Sequence, residues 1–129
     1  MNGYQRGYCF YCKERMIDLT DNTSSVDVDH FFPHVLKKSD FKNIDGIWNL
    51  VLACVECNRG HKGKFQNLPE IYLLERLHQR NEYLIGSNHP LQKTLILQTG
   101  DTENKRRDFL NDYYNKSRSI LINTWKPSD

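Results

Sequence analysis

Hydrophobic and polar positions change rhythm along this chain, and the changes mark out its elements. Within residues 23–29, Val26 and Val28 alternate with Asp27 and Asp29, the period-two pattern of a half-buried strand. A second and more apolar run, Trp48 to Cys54, reads as another strand. Between them Pro33, Asn43, Asp45 and Gly46 interrupt any regular pattern, so residues 30–46 read as a long loop. From residue 54 the spacing turns helical. Cys54 and Cys57 stand at i and i+3 on one face, and Gly60 and Gly63 keep that helix short.

The second half is helical. Over 68–86, Leu73, Leu74, Leu77 and Leu84 supply a buried face, with Pro69 near the first helical position and Gly86 at the stop. Residues 88–100 repeat the device, with Asn88 or His89 as cap, Pro90 in the first turn and Gly100 at the end. A third helix over 101–125 opens on Asp101 or Thr102 and carries Phe109, Leu110, Tyr113, Tyr114, Ser117, Ile120 and Leu121 at helical spacing. These helices read as packing. The cations Lys105, Arg106, Arg107, Lys116 and Arg118 alternate with Glu103, Asp108 and Asp112, as on a solvated face.

A chain of 129 residues fits one domain, with 26% charged residues and an ordinary soluble composition. No apolar run approaches the ~20 residues that span a bilayer, and the N-terminus has no apolar signal core. A cytoplasmic protein with no membrane partner is expected. The net charge of +2 is too small to argue for a nucleic-acid partner, but its distribution says more. Arg59, Lys62 and Lys64 fall within 58–64 without an acid, and 34–42 holds three lysines against one aspartate.

All four cysteines form two CxxC pairs, Cys9 with Cys12 and Cys54 with Cys57. Disulfides are disfavoured in a reducing compartment, and four thiolates so paired suit a tetrahedral structural zinc. Redox chemistry or chance pairing are the alternatives, but a redox CxxC usually opens a helix after a strand, and no strand pattern precedes Cys9. Because 41 residues separate Cys12 from Cys54, such a zinc would clamp the base of a long excursion.

The polar residues of that excursion carry the chemistry. Asp29 and His30 are neighbours, and neighbouring strand side chains point to opposite faces, so they share a site only if the strand ends or bulges there. Pro33 makes an ending plausible. Asn58 lies about 100° around the helix from Cys57, with His61 and Lys62 three and four residues beyond it. Asp29 and Asn58 offer oxygens that suit Mg²⁺. A neutral His30 beside such an ion could take a proton from an attacking water, while nearby cations hold phosphates.

At these residues, "CFYC", then "DVDHFFP", then "WNLVLACVECNRGHKGK", the chain resembles the HNH endonucleases. The resemblance covers about residues 9 to 64. It implies an α+β fold in a single domain, 1–129: a ββα-metal (His-Me finger) core stapled by a four-cysteine zinc over 1–66, then a helical extension over 67–129 to which nothing carries over. It implies a metal-dependent hydrolase of DNA phosphodiester bonds. His30 matches the general base and Asp29 the first metal ligand. Asn49 matches the residue that braces the loop and orients the histidine through its carbonyl. Asn58 stands where the family more familiarly has histidine and would complete the site of one divalent ion, Mg²⁺ or another such as Mn²⁺, Co²⁺ or Ni²⁺. His61 is a candidate to share or replace it. Cys9, Cys12, Cys54 and Cys57 match the structural zinc, Phe31 and Phe32 would secure the loop, and His34 would lie at the surface or on a phosphate. Arg59, Lys62 and Lys64 are candidates for the DNA backbone, and specificity is expected from the helices, a second subunit or a partner protein. The competing readings are a zinc-stabilised nucleic-acid-binding module without catalysis and a zinc scaffold for protein contacts. Duplex or single-stranded substrate, DNA or RNA, and oligomeric state stay open.

Overall fold

The computed structural model describes residues 5, 7–14 and 26–128. It is a mixed α/β arrangement with two small sheets. Strand β1 (Val26–His30) pairs antiparallel with β2 (Leu50–Cys54), running from Val26 opposite Cys54 to His30 opposite Leu50. Residues 23–25, which the sequence adds to the first strand, lie outside the described residues. The loop between the strands holds two 3₁₀ turns, His34–Lys38 and Ile47–Asn49. Helix α1 (Val55–Arg59) follows β2 without a break, because Cys54 ends the strand and caps the helix, its sulfur accepting the Cys57 N–H at 3.4 Å.

The two strands differ in what they bury. From Val51 to Cys54 every β2 residue is buried, which explains its unbroken apolar run. In β1 the usual sense of the alternation is inverted. Val28 is 61% exposed, whereas Asp29 is only 8% exposed. The acidic face is turned inward because the interior supplies it with partners, described below.

Helices α2 (Ile71–Gly86), α3 (Gln92–Thr99) and α4 (Glu103–Arg118) form the second half. Leu73, Leu74, Leu77 and Leu84 are buried as their spacing predicts, and Thr102 caps α4 by accepting the Lys105 N–H at 3.1 Å. Other boundaries differ from expectation. Pro69 lies outside α2, in a parallel two-residue pairing of β3 (Leu68–Pro69) with β4 (Thr124–Trp125). Pro90 precedes α3 rather than opening it, and His89 Nδ1 accepts the Leu91 N–H at 3.1 Å. Helix α4 stops at Arg118, short of 125: Ser117 and Ser119 turn their hydroxyls back onto the carbonyls of Tyr113 and Lys116, a bond that competes with helix continuation. No helix among the described residues is long and apolar enough to cross a membrane.

The core joins the two halves. Phe31, Phe32 and Trp48 are fully buried, and Trp48 meets Phe109 and Tyr113 of α4 at ring-centroid distances of 4.9 and 4.8 Å. Gly46 makes room for that indole, since a Cβ there would stand 2.7 Å from Trp48 Cδ1. Two arginines of α2 then hold backbone carbonyls of the first half. Arg76 donates to the Phe10 and Tyr11 carbonyls at 2.9 and 2.7 Å. Arg80, with no exposed surface, donates to those of Leu50, Ile47 and Trp48 at 2.7, 3.2 and 3.1 Å. A cation suits this end of a 3₁₀ turn, where carbonyls converge. Arg80→Ala strands these acceptors and is expected to cost about 3 kcal/mol or more, lowering Tm by roughly 10 °C. A melt within two degrees of wild type would show the contacts to be dispensable.

Candidate functional site

Two CxxC turns meet at the base of the β1–β2 loop. The sulfurs of Cys9, Cys12, Cys54 and Cys57 all lie within 4.8 Å of one another. Zinc–sulfur bonds of about 2.3 Å in a tetrahedron separate the sulfurs by about 3.8 Å, so a small contraction closes the set on one ion. The cluster could hold a metal ion such as zinc. As bare thiols Cys9, Cys54 and Cys57 are unequal neighbours. The hydrogen bond from Cys57 pulls Cys9 down to about 5, while burial pushes Cys54 up to about 11 and the bond to Cys9 raises Cys57 further. The raised thiols of Cys54 and Cys57 keep protons that a bound metal cation would displace.

From this base β1 carries two carboxylates inward. Asp29 Oδ2 accepts the Tyr11 hydroxyl at 2.6 Å and faces the Lys64 ammonium at 3.2 Å. Tyr11 lies inside the first CxxC, so the cysteine knuckle and Asp29 are one hydrogen-bond apart. Burial pushes the Tyr11 phenol up and, with the Asp29 charge beside it, keeps it a donor. Asp27, two residues back on the same strand face, takes Asn58 Nδ2 and Arg59 Nε, each at 2.9 Å. The inner face of β1 is thereby bonded to α1 and to the segment after it.

His30 ends β1 with its ring on the other side. The strand keeps its regular register to the last pair, without a bulge, so Asp29 and His30 keep separate partners. The imidazole is partly exposed, its Nε2 lying 2.9 Å from Asp45 Oδ1. Lys64 joins the two positions, since its ammonium also donates to the His30 carbonyl at 2.9 Å.

Asn49 is fully buried, and its side chain bonds two parts of the loop. Oδ1 accepts the Phe32 N–H at 2.7 Å, and Nδ2 donates to the carbonyls of Phe32 and Ile44 at 3.0 and 2.8 Å. Its own carbonyl differs from expectation. It accepts the Phe31 N–H at 2.8 Å, and the partner of the His30 ring is Asp45 instead.

The remaining candidates divide. Asn58 sits beside Asp27. His61 lines a shallow cavity with Glu56, Cys57, Lys62 and Trp125, a group that does not include Asn58. Arg59 is exposed although paired with Asp27, and the Lys62 carbonyl receives the Trp125 indole N–H at 2.8 Å. Lys64 is a correction: it has no exposed surface, so it cannot lie against a DNA backbone from outside. Burial lowers its pKa and the Asp29 charge opposes that. Lys64→Met should leave Asp29 buried without its counter-charge and cost about 3–5 kcal/mol in chemical denaturation. Wild-type stability with weakened DNA binding would restore the surface role.

Sequence reading missed three residues here. Tyr11, Asp27 and Asp45 belong to the site only through pairings across the chain, though the acidic face of β1 was a signal that Asp27 would follow Asp29. No family model, no curated protein and no solved structure matches the chain.

Proposed function

We propose that the protein is a metal-dependent endonuclease of the HNH kind, hydrolysing DNA phosphodiester bonds with His30 as general base. The observation that carries this reading is an assembly of four parts on one unit. A histidine ends β1, a buried carboxylate immediately precedes it, an asparagine sits on the helix that directly follows β2, and a second asparagine locks the loop between. Strand, strand and helix in this order, with four cysteines clustered at their base, are the elements that a ββα-metal core with a structural zinc would need, and they support that reading.

On this reading Asp29 and Asn58 would be the donors for a second ion, although the structure bonds Asn58 to Asp27 and Asp29 to Tyr11 and Lys64. Both offer hard oxygen, and Asn58 spends its amide nitrogen, not its oxygen, on Asp27. An ion bound there would supply Lewis-acid stabilisation of the phosphate and of the departing oxygen. His30 takes the proton of the attacking water, and its partly exposed ring can meet a phosphate from solvent. Exposed Arg59 and Lys62 would bind the DNA backbone, a contribution weakened by salt.

One observation favours the zinc-stabilised binding module. Lys64 and Arg59 already match the charges of Asp29 and Asp27, so the inner face is stable without a divalent ion. Incubation of the zinc-loaded chain with supercoiled plasmid in Mg²⁺, Mn²⁺, Ni²⁺ or EDTA separates the two. Nicking that needs a divalent ion supports the nuclease. DNA retained but intact in every metal transfers the assignment to the binding module.

A further inference from the structure

The structure gives the His30 ring a partner that composition and spacing do not disclose. Asp45 Oδ1 lies 2.9 Å from His30 Nε2, and Asp45 Oδ2 takes the Lys37 ammonium at 2.7 Å. His34 Nε2 stands 3.4 Å from the same Oδ1. A carboxylate offers only lone pairs. A neutral imidazole facing it therefore carries its hydrogen on Nε2 and its lone pair on Nδ1.

The loop that presents Asp45 is built to hold it. Asn43 adopts φ 55°, and the turn closes with the Gly46 N–H on the Asn43 carbonyl at 2.8 Å. Ile44, just before Asp45, is 2% exposed. The Asn49 side chain binds the Ile44 carbonyl and both backbone groups of Phe32. The residue before Asp45 and the second residue after His30 are thus fastened to one buried amide. That arrangement fixes the spacing of the two backbone segments that carry Asp45 and His30.

We propose that Asp45 is the positioning residue for His30, holding the imidazole by its Nε2–H so that Nδ1 receives the proton of the attacking water. The inference rests on the nuclease reading. The water oxygen forms a bond to phosphorus as the bond from phosphorus to the 3′ oxygen breaks. That oxygen leaves with the bonding pair and is protonated from solvent. The water's proton passes to Nδ1, and the imidazolium, steadied by the Asp45 carboxylate, later returns it to solvent. Lys37 keeps the carboxylate in its ionised form: its hydrogen bond, followed by that of His30, draws Asp45 down to about 2.

The test compares wild type, Asp45→Ala and the near-isosteric Asp45→Asn as zinc-loaded full chains. Plasmid nicking and the His30 tautomer, read from imidazole ¹⁵N shifts, are both measured. Asp45→Ala is expected to lower kcat roughly 10- to 100-fold with KM changed less than about threefold, and to lose the Nε2–H preference. Asp45→Asn, which still offers an oxygen, recovers part of both. Wild-type kcat in Asp45→Ala, or a wild-type His30 protonated on Nδ1, overturns the proposal. If the wild type nicks nothing in any metal, the nuclease reading fails by itself. The tautomer comparison then still supports or overturns Asp45 as the group that orders His30.

Discussion

Cys57→Ser is expected to abolish the fold rather than weaken it. Cys57 is 4% exposed and belongs to a set of four sulfurs that joins residues 9 and 12 to the junction of β2 and α1. The first knuckle also meets β2 through the Phe10 N–H on the Leu52 carbonyl at 2.9 Å, and the Gln5 amide holds both backbone groups of Leu52 at 2.8 and 3.2 Å. A structural zinc contributes on the order of 10 kcal/mol, comparable with the whole stability of a domain of this size. Serine supplies a harder and less readily ionised ligand. The variant should purify without zinc, lose its cooperative melt and take Tyr11, and with it Asp29, out of place. Chelation of the wild type should do the same. An intact melt in zinc-free Cys57→Ser would show that the cluster holds no stabilising ion.

His30→Ala should have the opposite character, a large loss of rate in an unchanged fold. On the nuclease reading, removal of the general base lowers kcat by roughly 10²–10⁴. The structural cost is small, because the ring is partly exposed, and its described contacts are one hydrogen bond to Asp45 and an edge contact with His34. The backbone carbonyl that Lys64 uses survives the substitution. Circular dichroism, zinc content and Tm should therefore match wild type while nicking disappears. Equal nicking by both proteins would remove His30 from the reaction.

The parts of this architecture that come from short-range pattern are legible in the sequence. The β1 alternation, the apolar β2 from Leu50 onward, the i,i+3 cysteines and the leucine spacing of α2 all predict the elements they form, while Trp48 and Asn49, read as strand, belong to a 3₁₀ turn instead. What escapes is what depends on partners far along the chain. The alternation of β1 does not say which face goes inward, and the presence of Tyr11, Asn58, Arg59 and Lys64 makes it the acidic one. Lys64 looks like one more surface lysine of a basic run until Asp29 and the His30 carbonyl are placed beside it. The cations of α4 also resolve only in three dimensions: Arg106 takes Glu82 and Arg107 takes Glu75, both across to α2. Boundaries were missed where two-residue strands replaced helix ends, since two residues carry no period to read.

The pairing of β3 with β4 has a consequence for how the molecule is made. Trp125 packs its ring against Tyr11 at a centroid distance of 5.1 Å and donates its indole N–H to the Lys62 carbonyl. The tyrosine that holds Asp29 is therefore covered by a residue translated more than a hundred positions later. During synthesis, α1 and the knuckle leave the ribosome well before their lid does. A chain without Trp125 would leave the ring of Tyr11 uncovered on that side. Such contacts between distant parts of a sequence close late in folding, so the cradle of Tyr11 and Asp29 is expected to be covered only after the helices of the second half have packed.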